Sequence, residues 1–585
     1  MSAHGSVEDD TDEGDQTETA DRIEIDVQEF VLSLVDSYRY MQLPLRQYVL
    51  LALIPTFLLA ISVPVITLLL GVSPVIALPL SLLGVFSFFV VAVYPKIVQD
   101  RKRKEIRERF HLFLTHITVL SMTNIDRIEV FRRLAQIDEY GALAEEMGRV
   151  VALVDTWNQS LDDACQRRSK RVSSDLLSDF FERLAYTVSA GQDMSEFLIS
   201  EQDSIVQQFV IQYESDLSKL DVMKELYLSM MMSTTFILVF ATVLPILIAV
   251  SPTLLVSGVI GMFVVVQGGF LFIIHAVSPR DPVWFIADEG RSPVRRTWPF
   301  LAIGLALSAV AVVFTLSVTL GIGPVPADVF PRPIWMAVCV TPLVVPGLAM
   351  RHQEQKVKDR DDGFPSFIRA LGGIESVKES STASVLSTLR TKEFGTLTSN
   401  VDALYKRLNT RIDTARAWRL FAVETGSYLI QKFGDMYVVG RRMGGDPKQL
   451  GQIISTNFNK VLSVREKRAQ ATSTFVGVIY GVTAAAIFSA FISLEIAIQM
   501  VEISTDLEDS GTEIASLLFS TDLYDIDVIE YLLLLVVLFN ALLSSLMIRL
   551  MDRGHPISGF FHFVALIWVG SVVAVVSRQL MGGLL

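Results

Sequence analysis

Apolar residues dominate nine stretches of the chain, and polar stretches of two sizes separate them. The apolar stretches are Tyr48–Leu70, Pro74–Tyr94, Leu228–Val250, Thr253–Ala276, Trp298–Leu320, Ile334–Met350, Ala471–Met500, Glu530–Ile548 and Gly559–Val576. Most are about 20 residues long, enough for a helix to cross ~30 Å of hydrocarbon. The pattern predicts an all-α polytopic membrane protein with about nine transmembrane helices. Pro342 and Pro346 break the sixth stretch, which is tolerable where neighbouring helices cover the freed backbone groups.

The polar stretches carry helical periodicity of their own. Residues 96–227 and 351–470 each read as a helical-bundle domain. In the first, Val150, Val154, Trp157, Leu161 and Ala164 form one apolar stripe, and a second helix covers Leu176–Ser189. In the second, Val401, Leu404, Leu408, Ile412 and Ala415 share a helix face, with Asp402, Lys406, Arg407, Arg411 and Arg416 elsewhere on that helix. Leu429, Phe433, Met436 and Tyr437 make another stripe. The remaining divisions are an acidic tail and juxtamembrane helix (1–46), spans one and two (47–95) and spans three and four (228–276). A loop (277–297), spans five and six (298–350), span seven (471–500), an acidic loop (501–529) and spans eight and nine (530–585) complete the chain.

The two polar domains look like copies. Glu139-Tyr140-Gly141-Ala142-Leu143 matches Glu393-Phe394-Gly395-Thr396-Leu397. Asp162 and Ala164 match Asp413 and Ala415, and Gly191-Gln192-Asp193 matches Gly444-Gly445-Asp446. In each of the last pair, glycine reads as a helix stop and aspartate as the next N-cap. Tyr48 at the head of span one corresponds to Phe300 in span five. The unit is two spans, a helical domain and two spans, used twice, with span nine added. Four spans per unit keep both copies in one orientation, a parallel duplication rather than the inverted repeat common in transporters.

Charge adds an orientation. The chain carries a net −13, with 11 Asp+Glu and only Arg22 as a basic residue among the first 29 residues. That acidity speaks against a nucleic-acid binder and suits a high-salt cytoplasm. The first domain holds 18 Lys+Arg against 23 Asp+Glu, and the second 21 against 13. With the N-terminus cytoplasmic, 48 of the 50 Lys+Arg lie inside, and only Arg332 and Arg578 lie outside. The C-terminus is then exterior, as is the 501–529 loop with its eight Asp+Glu and no Lys or Arg.

Catalytic chemistry is hard to find. No Gly-Lys dipeptide occurs, so no Walker A loop is present, and the H-E-x-x-H, G-x-S-x-G and G-x-G-x-x-G patterns are also missing. His111 and His116 are five positions apart and do not share a helix face, which argues against a metal pair. Cys165 and Cys339 are distant in sequence. Glu495 and His275 sit near span ends, where snorkelling is the plain reading. The chain reads as a non-enzyme without catalytic, cofactor-binding or metal-binding residues. Arg101, Lys102, Arg103 and Lys104 follow a span directly and suit a topology signal or anionic lipid. Arg407, Arg411, Arg441, Arg442 and Lys448 lie away from any span end and suit a partner surface.

Two copies of a roughly 120-residue helical domain, each with a helix–Gly-x-Asp–helix break (Gly191 to Asp193, Gly444 to Asp446) and each followed by a span, resemble the type II secretion F superfamily. The nine spans are similar to its archaeal, archaellum-assembly branch, and the acidity to that of a haloarchaeal member. The resemblance implies a platform in the cytoplasmic membrane that docks a secretion or motor ATPase. It implies that the platform couples that ATPase to assembly, and to rotation, of a filament of pilin-like archaellin subunits. Pairing of two copies is compatible with it. It makes Arg101, Lys102, Arg103, Lys104, Arg407, Arg411, Arg441, Arg442 and Lys448 candidates for ATPase docking. Gly141, Asp162, Gly191, Asp193, Gly395, Asp413, Gly444 and Asp446 become the repeat's structural signature. An adhesive type IV pilus or Tad platform is the alternative within the superfamily, and a secondary transporter is the alternative outside it.

Overall fold

The computed structural model describes residues 48, 53–69, 74–123, 125–248, 250–285, 293–319, 326, 329–378, 382–509 and 525–584. Every regular element among them is a helix, apart from an isolated bridge between Trp284 and Ser427. The tail, residues 510–524 of the acidic loop and residues 49–52 and 70 of span one lie outside the described residues, as do the side chains of 59, 63–69 and 74–90 in spans one and two. The chain divides into two compact units, Met1–Ile117 with Ile125–Glu201, and Thr118–Asn124 with Gln202–Leu585.

The first unit opens with α1 (Ile54–Leu69) and α2 (Pro74–Ser121), followed by α3 (Arg127–Ala135) and α4 (Ala142–Trp157). Helices α5 (Leu161–Ser169), α6 (Asp175–Ser189) and the start of α7 (Met194–Leu247) complete it. Pro95 lies inside α2 without ending it. A proline lacks the N–H that would pair with the carbonyl four residues back. That carbonyl belongs to Val91, and the hydroxyl of Tyr48 donates to it at 2.6 Å. The core of this unit is aromatic: Phe110 meets Phe180 edge-on at 5.5 Å, and Phe113 meets Tyr140 at 5.6 Å. His116 Nδ1 lies 2.9 Å from the Tyr140 hydroxyl, so this histidine satisfies a buried core contact.

The second unit holds the rest of α7, then α8 (Pro252–Val277), α9 (Trp298–Thr319), α10 (Arg332–Val340) and α11 (Val344–Lys378). A bundle of shorter helices follows: α12 (Thr382–Leu389), α13 (Thr398–Asn409), α14 (Thr414–Thr425) and α15 (Tyr428–Arg442). The chain ends with α16 (Pro447–Asp509), α17 (Ile526–Asp552) and α18 (Gly559–Leu584). Seven helices among the described residues are long and apolar enough to cross a membrane. They are α7, α8, α9, the α10–α11 pair, α16, α17 and α18. The α10–α11 pair is interrupted by a 3-10 turn at Thr341–Leu343, where Pro342 sits.

Domain borders drawn at polarity changes do not coincide with helix ends. Lys96, Tyr227, Arg351 and Gln470 all lie inside helices. Backbone hydrogen bonding is indifferent to side-chain polarity, and no helix-stopping cap occurs at these positions. Four helices therefore run from polar into apolar sequence without interruption: α2 (48 residues), α7 (54), α11 (35) and α16 (63).

Inside the second unit's apolar bundle, a few polar side chains meet. Thr242 and Ser493 lie 2.7 Å apart, fully buried between α7 and α16. Gln267 on α8 donates to Asn540 on α17 at 2.6 Å, and Asn540 donates to Thr483 at 2.9 Å.

Candidate functional site

The candidate site is the polar bundle of the second unit, formed by α12 to α15 with the polar parts of α11 and α16, and the loop before α9. Its core packs Phe364, Phe367, Phe421, Phe433, Tyr437 and Phe458, all under 2% exposed. Leu429, Phe433, Met436 and Tyr437 all face this core. The crossing of α11 and α16 is fixed by two glycines. A Cβ at Gly372 would lie 2.2 Å from the Pro447 carbonyl oxygen, and one at Gly451 2.9 Å from the Ile368 carbonyl oxygen.

The turn that starts α16 is built as its sequence implies. Gly444 takes φ +85°, the left-handed region that glycine enters without steric cost. Asp446 accepts from the Gln449 amide at 3.0 Å, capping a helix whose first residue is Pro447. In the first unit, Gly191 takes φ +74° and Asp193 accepts from the Ser195 amide at 2.9 Å. Gly141 and Gly395 also share positive φ, at +53° and +59°.

The same comparison corrects one pairing and two helices. Asn158 (φ +52°) and Arg411 (φ +58°) are left-handed residues that end α4 and α13. The stripe Val150–Ala164 is thus split between α4 and α5, and Trp157 is 71% exposed rather than buried. The stripe Val401–Ala415 is split likewise, Arg411 lies at the break, and Arg416 belongs to α14. The N-caps after these breaks are Ser160 and Asp413, whose side chains accept from Asp163 and Arg416 amides. The counterpart of Asp413 is therefore Ser160, with Asp162 inside the first turn of α5. Periodicity could not show this, because an arginine or asparagine in the left-handed region carries no apolar signal.

The basic residues divide by what holds them. Arg441 Nη1 donates to the Gly445 carbonyl at 2.8 Å, and Nη2 lies 3.3 Å from Glu375. Glu375 is buried and also accepts from Tyr437 at 2.6 Å and Thr382 at 2.8 Å. Arg441 therefore braces the Gly444–Asp446 turn from within. Arg407 pairs with Glu424. Arg411, Arg442 and Lys448 are exposed, Arg442 lying 3.4 Å from Asp413. In the first unit, Lys102 pairs with Glu145 at 3.2 Å, Lys104 with Glu108 at 3.8 Å, and Arg103 donates to the Ser173 carbonyl. The Arg101 side chain lies outside those described.

A charged hub escaped the sequence reading. Arg465 on α16 grips Asp281 through two hydrogen bonds of 2.6 and 2.8 Å and reaches Asp361 on α11 at 2.9 Å. Ser427 donates to the other Asp361 oxygen. Burial pushes the Asp361 carboxyl up to about 7, against the pull of Arg465 and Ser427. Arg468, one helical turn on, donates to Ser278 at 3.0 Å and to the Met551 carbonyl at 2.7 Å. Backbone pairing adds Phe285 N–H to the Gly426 carbonyl at 2.8 Å and Tyr428 N–H to the Val283 carbonyl at 3.1 Å. The 277–285 part of the loop is thereby fastened to the bundle. Asp281 is the loop's side chain in this contact.

At the opposite end of the spans, Arg332 and Arg578 converge on buried Glu530, each at 3.0 Å. Arg332 also meets Asp527 at 2.7 Å, and Arg578 lies 3.8 Å from Glu495. Glu495 is thus ion-paired where snorkelling was expected.

The family model for the type II secretion system protein F matches residues 113–242. The flagella accessory protein J of Methanocaldococcus jannaschii is 32% identical over 544 residues, covering 92% of this chain and 96% of that one. The flagella accessory protein J of Methanococcus voltae is 33% identical over 515 residues, covering 87% and 91%. No solved structure matches the chain. Near-complete coverage at this identity, on an all-helical membrane protein with a matching F domain, places it: the chain belongs to the flagella accessory protein J family, the archaellum-type platform proteins of the type II secretion F superfamily.

Proposed function

We propose that this platform couples a cytoplasmic secretion ATPase to assembly of an archaellum in the cell membrane, with the N-terminus cytoplasmic and the C-terminus exterior. The observation that carries the coupling is helix continuity: α7 and α16 each run from a polar domain into an apolar span without a break. A continuous helix passes a displacement at one end to the other with little loss, which suits work done on a membrane-embedded filament by a soluble motor. The hub at Arg465 supports the same reading. It ties α16, α11 and the 277–285 loop together, so that the bundle moves with its spans.

Docking of the ATPase is assigned to the exposed Arg411, Arg442 and Lys448. The bilayer holds the pilin-like subunits against the platform. Rotation of the finished filament follows from the same coupling once assembly stops. The test is a clean deletion complemented with the intact gene, scored for swimming and for surface filaments by electron microscopy. Loss of both, restored on complementation, is the expected result. Normal swimming with loss of thin adhesive pili moves the platform to an adhesive system, and an unchanged surface overturns the proposal.

A further inference from the structure

The first unit carries a cleft that the platform reading does not use. It is a cavity of about 210 Å³ between α4 and α5, lined by Arg149, Leu153, Trp157, Arg167, Arg168 and Arg171. Two of its guanidiniums are held in place: Arg168 lies 2.5 Å from Glu146, and Arg149 lies 2.6 Å from both Glu145 and Glu146. The other two, Arg167 on α5 and Arg171 in the turn that follows it, are exposed, and no ion pair to either occurs among the described residues. Four arginines thus face two carboxylates, a local excess of positive charge on a domain whose net charge is negative. The wall opposite is apolar, and its Trp157 is 71% exposed. A large aromatic left in water beside unpaired guanidiniums fits an acidic ligand with apolar side chains.

We propose that the cleft is the docking site for this chain's own acidic N-terminal segment, residues 21–29. The segment reads Asp-Arg-Ile-Glu-Ile-Asp-Val-Gln-Glu, with Ile23, Ile25 and Val27 alternating with Glu24 and Asp26. Bound in extended form, it would turn the apolar residues to Leu153 and Trp157 and the carboxylates to the arginines, since alternate side chains of an extended chain point to opposite faces. Residues 30–47 join it to Tyr48, and a chain of that length reaches up to ~60 Å. The proposal rests on the pair of spans between tail and domain, which returns both to one side of the membrane. Tethering raises the local concentration of the segment to the order of millimolar, so a weak contact suffices.

The test uses the full chain in detergent and a fluorescent peptide of residues 18–30, followed by anisotropy. One form is intact. The other carries Asp21→Asn, Glu24→Gln, Asp26→Asn and Glu29→Gln, which remove the tail's charge. The neutralised form binds the peptide, and the intact form binds it about tenfold more weakly, because its own tail competes. In the neutralised background, Arg167→Glu with Arg171→Glu abolishes binding, Trp157→Ala weakens it, and the paired lysine substitutions retain it. These side chains are exposed, so equal melting temperatures check that the variants fold. Equal binding to both forms overturns the proposal and gives the cleft to an acidic segment of another molecule. Loss of binding on reversing Arg442 and Lys448 instead overturns it in favour of the second domain.

Discussion

Gln267 donates to Asn540 across 2.6 Å of buried contact, and the two residues lie midway along α8 and α17. These two apolar helices therefore meet through polar side chains inside the bilayer, where few other groups could satisfy an amide. Asn540→Leu removes the acceptor and leaves Gln267 without it. The expected loss is about 1–2 kcal/mol, read as a lowered melting temperature in detergent. Pairing it with Gln267→Leu should recover part of that loss, and a double-mutant cycle without coupling would show that the contact contributes nothing.

Arg465 offers a larger effect. Removing it strands Asp281 and Asp361 in a largely desolvated site, and breaking a buried pair from one side costs about 3–5 kcal/mol. Arg465→Met should therefore give a chain that unfolds far earlier on heating, while Arg465→Lys keeps the charge but loses the two-pronged grip on Asp281. Equal melting of Arg465→Met and the parent chain would contradict the hub.

The same site sets a pH dependence. The Asp361 carboxyl titrates near 7 in the folded chain and near 3.8 when unperturbed. Between those values the folded chain keeps a proton that the unfolded chain has lost. Stability contributed by this group therefore falls as pH rises from about 4 to about 7, and is level above that. Asp361→Asn should remove that slope. The measurement is the melting temperature across this pH range for both forms.

The two neighbouring arginines at the end of α15 should separate cleanly. Arg441→Ala removes a brace on the Gly444–Asp446 turn and leaves Glu375 buried, with an expected cost of about 1–3 kcal/mol. Arg442→Glu changes an exposed side chain and should shift stability by less than about 0.5 kcal/mol. Binding of the cognate ATPase, measured against salt, should instead respond to Arg442→Glu and Lys448→Glu. A stability loss from Arg442→Glu equal to that from Arg441→Ala would remove the distinction.

Gly372 tests the geometry of the α11–α16 crossing. A methyl group there would meet the Pro447 carbonyl at 2.2 Å, so Gly372→Ala must push the start of α16 away. The expected outcome is a loss of about 1–3 kcal/mol, measured in the same melting assay. Gly373 is adjacent but opens onto free space, so Gly373→Ala is the control and should be neutral or better.

The sequence by itself determined the architecture that depends on local physics. Apolar runs of bilayer length mark spans whatever else surrounds them, and Gly444–Asp446–Pro447 and Gly191–Asp193 announce helix ends because stop and cap are chemical properties of those residues. Tertiary structure alone decided the rest. Asn158 and Arg411 adopt left-handed conformations that nothing in their composition requires, so the helices ending there ran together in the sequence pattern. Arg441 and Arg442 are identical neighbours, yet one faces Glu375 and the other water, a difference set by helix phase and packing. Asp281, Asp361 and Arg465 are far apart along the chain, and charges carry no periodicity that would reveal a partner. Only the folded bundle brings them within 3 Å, and only burial then moves the Asp361 proton toward neutral pH.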